Sequence, residues 1–136
     1  MSQIADALIL VLNCGSSSIK FAVFDASLPV IPRKPLWNGK VQGIGEERPD
    51  FGETGTAPYR INLSTEHPFR DALEHILEQV FHRLNGRGLC GIAHRVVHGG
   101  SKYFAPVRID ADVLADLKSF IPLAPLHQPV TVEAIE

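Results

Sequence analysis

Two short apolar segments near the N-terminus predict a β-hairpin. Residues 7–12 form a continuous apolar run, and residues 19–24 are rich in aromatic and β-branched side chains, which is typical of buried strands. The six residues between them, 13–18, are small and polar. We therefore expect two antiparallel strands joined by a loop of Gly and Ser.

The rest of the chain predicts further strands and two or more helices. Residues 36–44 and 59–63 are weaker strand candidates, and the Gly-rich stretch 45–56 between them is expected to be a loop. From Pro68, apolar residues recur at helical spacing until Asn85, with His75 and His82 off the apolar stripe on a solvated face. A strand over residues 89–98 and a short helix capped by Asp110 follow. Pro129 is placed to begin another helix.

Composition excludes several classes of protein. The chain has 136 residues, about one domain, and its net charge is 13 − 15 = −2. This balance lacks the basic excess of a nucleic-acid-binding protein. The longest apolar run has six residues, 7–12, whereas a membrane-spanning helix needs about 20. With two distant cysteines and no basic leader, we expect a cytoplasmic protein without disulfides, bound neither to nucleic acid nor to a membrane.

The hairpin loop is the first candidate for chemistry. Gly15, Ser16, Ser18 and Lys20 follow Asn13 in the turn and at the start of the second strand, where amides, hydroxyls and an ammonium group can converge on phosphate oxygens. It is not a Walker A loop, because that motif has a glycine directly before its lysine and a helix after it. An ordinary turn remains the alternative.

Two further segments carry candidate residues. In a strand, Arg95 and Val97 share one face, and a guanidinium beside a small apolar side chain suits a short carboxylate. An arginine paired with a structural carboxylate is the alternative. His127 follows Leu126 in a segment bounded by two prolines, where the rigid backbone presents an imidazole; a merely structural or exposed histidine is the alternative.

Taken in order, three motifs resemble the N-terminal part of an acetate kinase. They are Asn-x-Gly-Ser-Ser-Ser-x-Lys over residues 13–20, His-Arg-Val-Val-His-Gly-Gly over 94–100, and Ala-Pro-Leu-His over 124–127. The resemblance covers nearly the whole chain and is weakest over residues 29–65. It implies an α/β fold: a ribonuclease H-like (actin-like ATPase) lobe with a mixed β-sheet and flanking helices.

The resemblance also implies a function. Acetate kinases transfer a phosphoryl group reversibly between ATP and acetate, giving acetyl phosphate and ADP, with Mg²⁺ or Mn²⁺. Arg95 would hold the carboxylate or acyl phosphate, Val97 and Leu126 would line the methyl pocket, and His127 would stabilise the phosphoryl group in flight. The residues near the transferred phosphate would be Asn13, Gly15, Ser16, Ser18 and Lys20, with Asn13 also near the metal.

Length is the departure from the family. The resemblance implies that residues 1–136 are an N-terminal lobe without its C-terminal lobe. We therefore expect the isolated chain to be inactive or nearly so, and the intact enzyme to be a homodimer. A propionate- or butyrate-type carboxylate kinase and a stand-alone, non-catalytic phosphate-binding lobe remain as alternatives.

Overall fold

The structure, a computed structural model, describes residues 8–27, 30, 32–95 and 105–119. Its centre is a six-stranded mixed sheet with the spatial order β5-β4-β3-β2-β1-β6. The strands are β1 (Leu8–Cys14), β2 (Ser18–Asp25), β3 (Trp37–Gln42), β4 (Asp50–Glu53), β5 (Tyr59–Arg60) and β6 (Leu89–His94). Neighbours from β1 to β5 are antiparallel, whereas β6 runs parallel to β1. Two helices are described, α1 (Pro68–Leu84) and α2 (Ala111–Ser119).

The predicted hairpin is confirmed. β1 and β2 pair from Leu8 opposite Asp25 to Cys14 opposite Ile19. Burial alternates along β1, so that Leu8, Leu10, Leu12 and Cys14 are buried on one face while the residues between them are half-buried on the other. The sheet therefore has two unlike faces, and only one of them belongs to the main core.

The main core lies between this buried face and α1. The helix is buried at every fourth residue from Ala72 to Leu84, which gives the single stripe expected of a helix that packs on a sheet. Its buried residues are Ala72, Ile76, Val80 and Leu84. The sheet contributes Leu8, Leu10, Leu12, Cys14, Ile19, Phe21, Val23, Trp37, Val41 and Phe51.

The sequence signals for the helix ends are confirmed. Proline begins α1, and Asn85 ends it in the left-handed conformation with φ 51°, as helix C-caps commonly do. For α2, the Asp110 carboxylate accepts a hydrogen bond from the amide of Val113 at 2.8 Å. Asp110 is thus the N-cap that the sequence predicted.

The loop predicted over residues 45–56 is wrong in part, because it contains β4. Phe51 is fully buried opposite Val41, and its ring stacks on Phe21 at a centroid distance of 6.0 Å. This burial stabilises a strand in a segment whose composition favours turns. The predicted strands 59–63 and 89–98 are shorter, at Tyr59–Arg60 and Leu89–His94. Residues 96–104 and the helix expected at Pro129 lie outside the described residues.

His75 is also placed differently from the prediction. It is half-buried, its ring lies edge-on to Phe51 at 4.8 Å, and its Nε2 lies 2.8 Å from the hydroxyl of Tyr59. His82 is exposed, as expected. The difference at His75 has the same origin as β4, because Phe51 and Tyr59 supply partners that local sequence does not reveal.

Candidate functional site

The loop between β1 and β2 is short and anchored at both sides. The amide of Gly15 donates a hydrogen bond to the carbonyl of Ser18 at 2.7 Å, which leaves Ser16 and Ser17 at the tip. The amide of Ile44 donates to the carbonyl of Ser17 at 2.9 Å. The tip is therefore fixed to the end of β3 as well as to its own strands.

The tip of the loop carries two successive backbone amides, those of Ser16 and Ser17. Within the described residues, neither amide donates one of the hydrogen bonds that close the loop. A Cβ atom on Gly15 would lie 3.0 Å from Oγ of Ser18, so the glycine leaves room for that hydroxyl. Successive amides with adjacent hydroxyls form a concavity that suits an oxyanion.

Asn13 and Lys20 stand side by side at the base of this loop. They are directly opposite each other in the β1–β2 register. Both belong to the alternate set of positions that faces away from α1, where Asn13 is half-buried and Lys20 is exposed. A neutral amide and an ammonium group thus flank the loop on one face of the sheet.

Arg95 comes to the other side of Asn13. Its amide donates to the carbonyl of Leu12 at 3.0 Å, directly after β6 pairs His94 with Leu12. Continuing this parallel register by one residue brings Arg95 level with Asn13. Arg95 is exposed, and within the described parts of the chain its guanidinium has no carboxylate partner. The pairing with a structural carboxylate that the sequence left open is therefore not seen there.

The register extends this row to residues that the sequence did not suggest. Lys20 lies opposite Lys40 of β3, and Lys40 lies opposite Gly52 of β4. An open cavity of about 570 Å³ lies along the row. It is lined by Val11, Asn13, Lys20, Phe21, Ala22, Asn38, Gly39, Lys40, Gly52, Glu53, Thr56 and Pro58. Only strand register could have pointed to Lys40, because no short motif contains it.

His94 lies beside the row but on the core face. Partial burial lowers the pKa of its imidazole below the ordinary value of 6.5. Burial therefore favours the uncharged imidazole, and among the described residues Lys20, Lys40 and Arg95 carry the positive charge at this end of the sheet.

The remaining candidate residues cannot be located in the same way. Val97, Leu126 and His127 lie outside the described residues. The structure thus brings together Asn13, the Gly15–Ser18 loop, Lys20 and Arg95, and it leaves the methyl pocket and the histidine as predictions from the sequence.

The described residues hold no ready-made metal centre. In residues 8–27, 30, 32–95 and 105–119, no group of three or more His, Cys, Asp or Glu side chains could bind one ion. Asn13 offers a neutral oxygen, whereas Mg²⁺ prefers carboxylates and phosphate oxygens. The described row therefore fits a metal only as a contact to an ion that phosphates already hold.

Comparison with known proteins identifies the family. The model of the acetokinase family matches residues 8–136, which is almost the whole chain. This chain belongs to the acetokinase family. The matched range contains all three motifs, and the resemblance seen in the sequence is confirmed.

Individual members of the acetokinase family show how much of a relative the chain spans. It is 37% identical over 131 residues to an acetate kinase of Rhodopseudomonas palustris, an alignment that covers 94% of this chain and 33% of that protein. The crystal structure of a propionate kinase from Francisella tularensis superposes with TM-score 0.71 at 33% identity, covering 95% of this chain and 32% of that one. For an acetate kinase from Porphyromonas gingivalis the TM-score is 0.70 at 27% identity, with 95% and 33% covered.

These neighbours also identify the fold. The mixed sheet with its helices is the α/β, ribonuclease H-like arrangement of the actin-like ATPases, as the resemblance implied. The chain spans about a third of the length of the acetokinases that it matches. None of the helices in the described regions is long and apolar enough to cross a membrane.

Proposed function

We propose that the protein carrying this chain is an acetate kinase, which transfers the terminal phosphoryl group of ATP to acetate and gives acetyl phosphate and ADP in a reversible reaction. Membership of the acetokinase family supports this reaction class. The observation that carries the proposal is the row in which Lys20, Asn13 and Arg95 stand beside the hairpin loop.

The chain supplies one half of the proposed site. We propose that residues 1–136 form the N-terminal lobe and that a C-terminal lobe completes the cleft, because the chain spans about a third of its relatives' length. The isolated chain would then be inactive or nearly so. The intact enzyme would be a cytoplasmic homodimer, as the family resemblance implies.

Each residue has a role that suits phosphoryl transfer. The loop amides with Ser16, Ser18 and Lys20 would hold the phosphate that moves. Arg95 would hold the carboxylate of acetate or the acyl phosphate, since its fork-shaped guanidinium matches two oxygens at once. His127 would donate a hydrogen bond to the phosphoryl group in flight, and Val97 with Leu126 would contact the methyl group.

No protein nucleophile is needed for this reaction. Phosphoryl transfer depends on positioning the reactants and on neutralising the charge on the equatorial oxygens. Acetate is already ionised near pH 7, so it needs no general base. Cations and amides fixed beforehand at one end of a sheet supply what the chemistry requires.

The proposed reaction also uses a divalent cation, to which this chain would contribute one ligand. Bound to the nucleotide, Mg²⁺ or Mn²⁺ would neutralise phosphate charge. Asn13 would contact that ion through its amide oxygen, because the described residues contain no group of three or more His, Cys, Asp or Glu side chains that could bind the ion by themselves. The remaining ligands would come from phosphate oxygens and from outside the described residues.

Trapping of acyl phosphate with hydroxylamine tests the proposal. The full-length protein is incubated with Mg-ATP and acetate, and the acyl hydroxamate is measured. Product that requires both substrates would support an acetate kinase. Absence of product with a folded protein, for acetate and for every other short carboxylate, would contradict the proposal and favour a non-catalytic phosphate-binding lobe.

Propionate is the second candidate substrate. The propionate kinase of Francisella tularensis superposes as well as the acetate kinase of Porphyromonas gingivalis, with TM-scores of 0.71 and 0.70, and the proposed pocket residues Val97 and Leu126 lie outside the described residues. The same assay with acetate, propionate and butyrate ranks kcat/KM for the three acids. We expect kcat/KM to fall in the order acetate, propionate, butyrate. A higher kcat/KM for propionate or butyrate than for acetate would identify that acid as the substrate instead.

A further inference from the structure

Lys20 and Lys40 form a pair of like charges on neighbouring strands. They are directly opposite on the antiparallel strands β2 and β3, on the face turned away from α1. Residues in such pairs have Cβ atoms about 4.5–5.5 Å apart, and like charges placed there destabilise the sheet. Within the described residues neither ammonium group forms an ion pair.

The surroundings of the pair leave room for an anion. Gly52 lies opposite Lys40 on the next strand and has no side chain, although Pro58 packs over it, with its Cγ 3.5 Å from where a Cβ of Gly52 would lie. Asn13 lies on the far side of Lys20. Both lysines line the cavity of about 570 Å³, together with Asn38 and with Glu53, whose carboxylate lies 3.7 Å from Arg83. On this face, Asp50 is two residues along β4 from Gly52, a diagonal separation from Lys40 of about 7–8 Å between strands. It forms no ion pair with Lys40.

The distance from the hairpin loop connects this pair to the phosphate site. Lys20 is two residues beyond Ser18 along β2. Lys40 lies opposite Lys20 on β3, one strand spacing of about 4.8 Å away. A phosphate group held by the loop, or the next group of a phosphate chain, would therefore lie within reach of both flexible side chains. A charge of −1.5 to −2 on such a group, roughly that of a phosphate monoester near pH 7, matches two ammonium groups.

We propose that Lys40 is a second lysine of the phosphate site and that it binds, together with Lys20, a phosphate group beside the hairpin loop. This inference rests on the proposed phosphate-binding function of that loop. The ligand class is a phosphate monoester or anhydride, which is either free inorganic phosphate or the phosphate chain of a nucleotide. Two compact ammonium charges without a planar fork suit the several oxygens of phosphate better than a flat carboxylate.

Binding measurements on lysine variants test the inference. Isothermal titration calorimetry of the full-length protein with inorganic phosphate, with pyrophosphate and with Mg-ATP distinguishes the two sources of the ligand. Lys40→Met is compared with Lys40→Arg, which keeps the charge, and with Lys20→Met. Lys34→Met is the control, because Lys34 is exposed and does not line the cavity. We expect Lys40→Met to raise Kd about fivefold or more, a loss typical of one charge-assisted hydrogen bond at an exposed site. The arginine and Lys34 variants should stay within about twofold of wild type.

Thermal unfolding gives an independent test, because the inference predicts the direction in which Lys40→Met changes Tm. At low ionic strength and without ligand, Lys40→Met should raise Tm, because it removes the repulsion with Lys20. With phosphate present, its Tm should rise less than that of wild type.

Each outcome separates the two proposals. If Lys20→Met weakens binding while Lys40→Met leaves Kd within twofold in all three titrations, the role of Lys40 is overturned and the loop function stands. If the wild-type protein binds none of the three ligands, or if both variants bind like wild type, the role of the hairpin loop fails as well.

Discussion

Gly15 and Ser18 close the hairpin loop through a hydrogen bond from the glycine amide to the serine carbonyl at 2.7 Å. The Ser18 hydroxyl also lies close to Gly15, because a Cβ built on the glycine would be only 3.0 Å from Ser18 Oγ. Gly15 thus closes the turn and also leaves space for the Ser18 hydroxyl, which we expect to face phosphate.

Replacing Gly15 with alanine is expected to weaken nucleotide binding more than it destabilises the fold. The added methyl group displaces the Ser18 hydroxyl, which can rotate at small cost to the free energy of unfolding, about 1 kcal/mol or less. Calorimetry with Mg-ATP and urea unfolding measure the two effects. Gly88→Ala is the control, because a Cβ there meets no atom within 4 Å; equal affinities for both variants would contradict this account of the loop.

Replacing Gly39 with alanine should do the reverse and destabilise the sheet. A Cβ at Gly39 would clash with the carbonyl oxygen of Gly52 and would lie 2.7 Å from the ring of Phe21. Neither the backbone nor the buried ring can move easily, so we expect a loss of about 2–3 kcal/mol or more in the free energy of unfolding. Urea unfolding checks this against Gly88→Ala, and a loss below about 0.5 kcal/mol would show that the strands separate readily.

Stability should depend on pH through His94. Burial lowers the pKa of its imidazole below 6.5 in the folded protein, so the unfolded chain binds the proton more readily. The stabilisation is present above pH 6.5 and is lost as the pH falls through 6.5 toward the lowered pKa. His94→Gln should flatten the slope of the unfolding free energy between about pH 7.5 and 5.5.

His82→Gln is the control for that pH dependence, because His82 is exposed on α1. It should leave the slope unchanged. An unaltered slope in His94→Gln would mean that the imidazole of His94 is solvated in the folded protein.

Local patterns in the sequence were sufficient for the hairpin and for α1. The continuous apolar run over residues 7–12, the proline at the start of α1 and Asn85 at its end are each signals within a few residues. β4 was missed because Gly52 and its acidic neighbours resemble a loop, and only the burial of Phe51 against Val41 and Phe21 makes the segment a strand.

The residues of the site also divide into those that a local motif indicates and those that only the folded sheet brings together. Asn13, Ser16, Ser18 and Lys20 lie in one short motif, so a single segment of sequence was enough to suggest them. Lys40 enters only through the β2–β3 register, which joins residues 20 positions apart. Cross-strand neighbours depend on the whole sheet, and a motif search does not detect them.

Arg95 provides the most direct test of the central claim, that this end of the sheet is half of a carboxylate kinase site. In the full-length protein, kcat for acyl phosphate formation is measured for wild type, Arg95→Ala and Arg95→Lys, with Arg87→Ala on the exposed α1–β6 connection as control. We expect Arg95→Ala to lower turnover at least about 10²-fold, Arg95→Lys to recover part of the loss, and Arg87→Ala to stay near wild type. Turnover of Arg95→Ala within about threefold of wild type would contradict the claim.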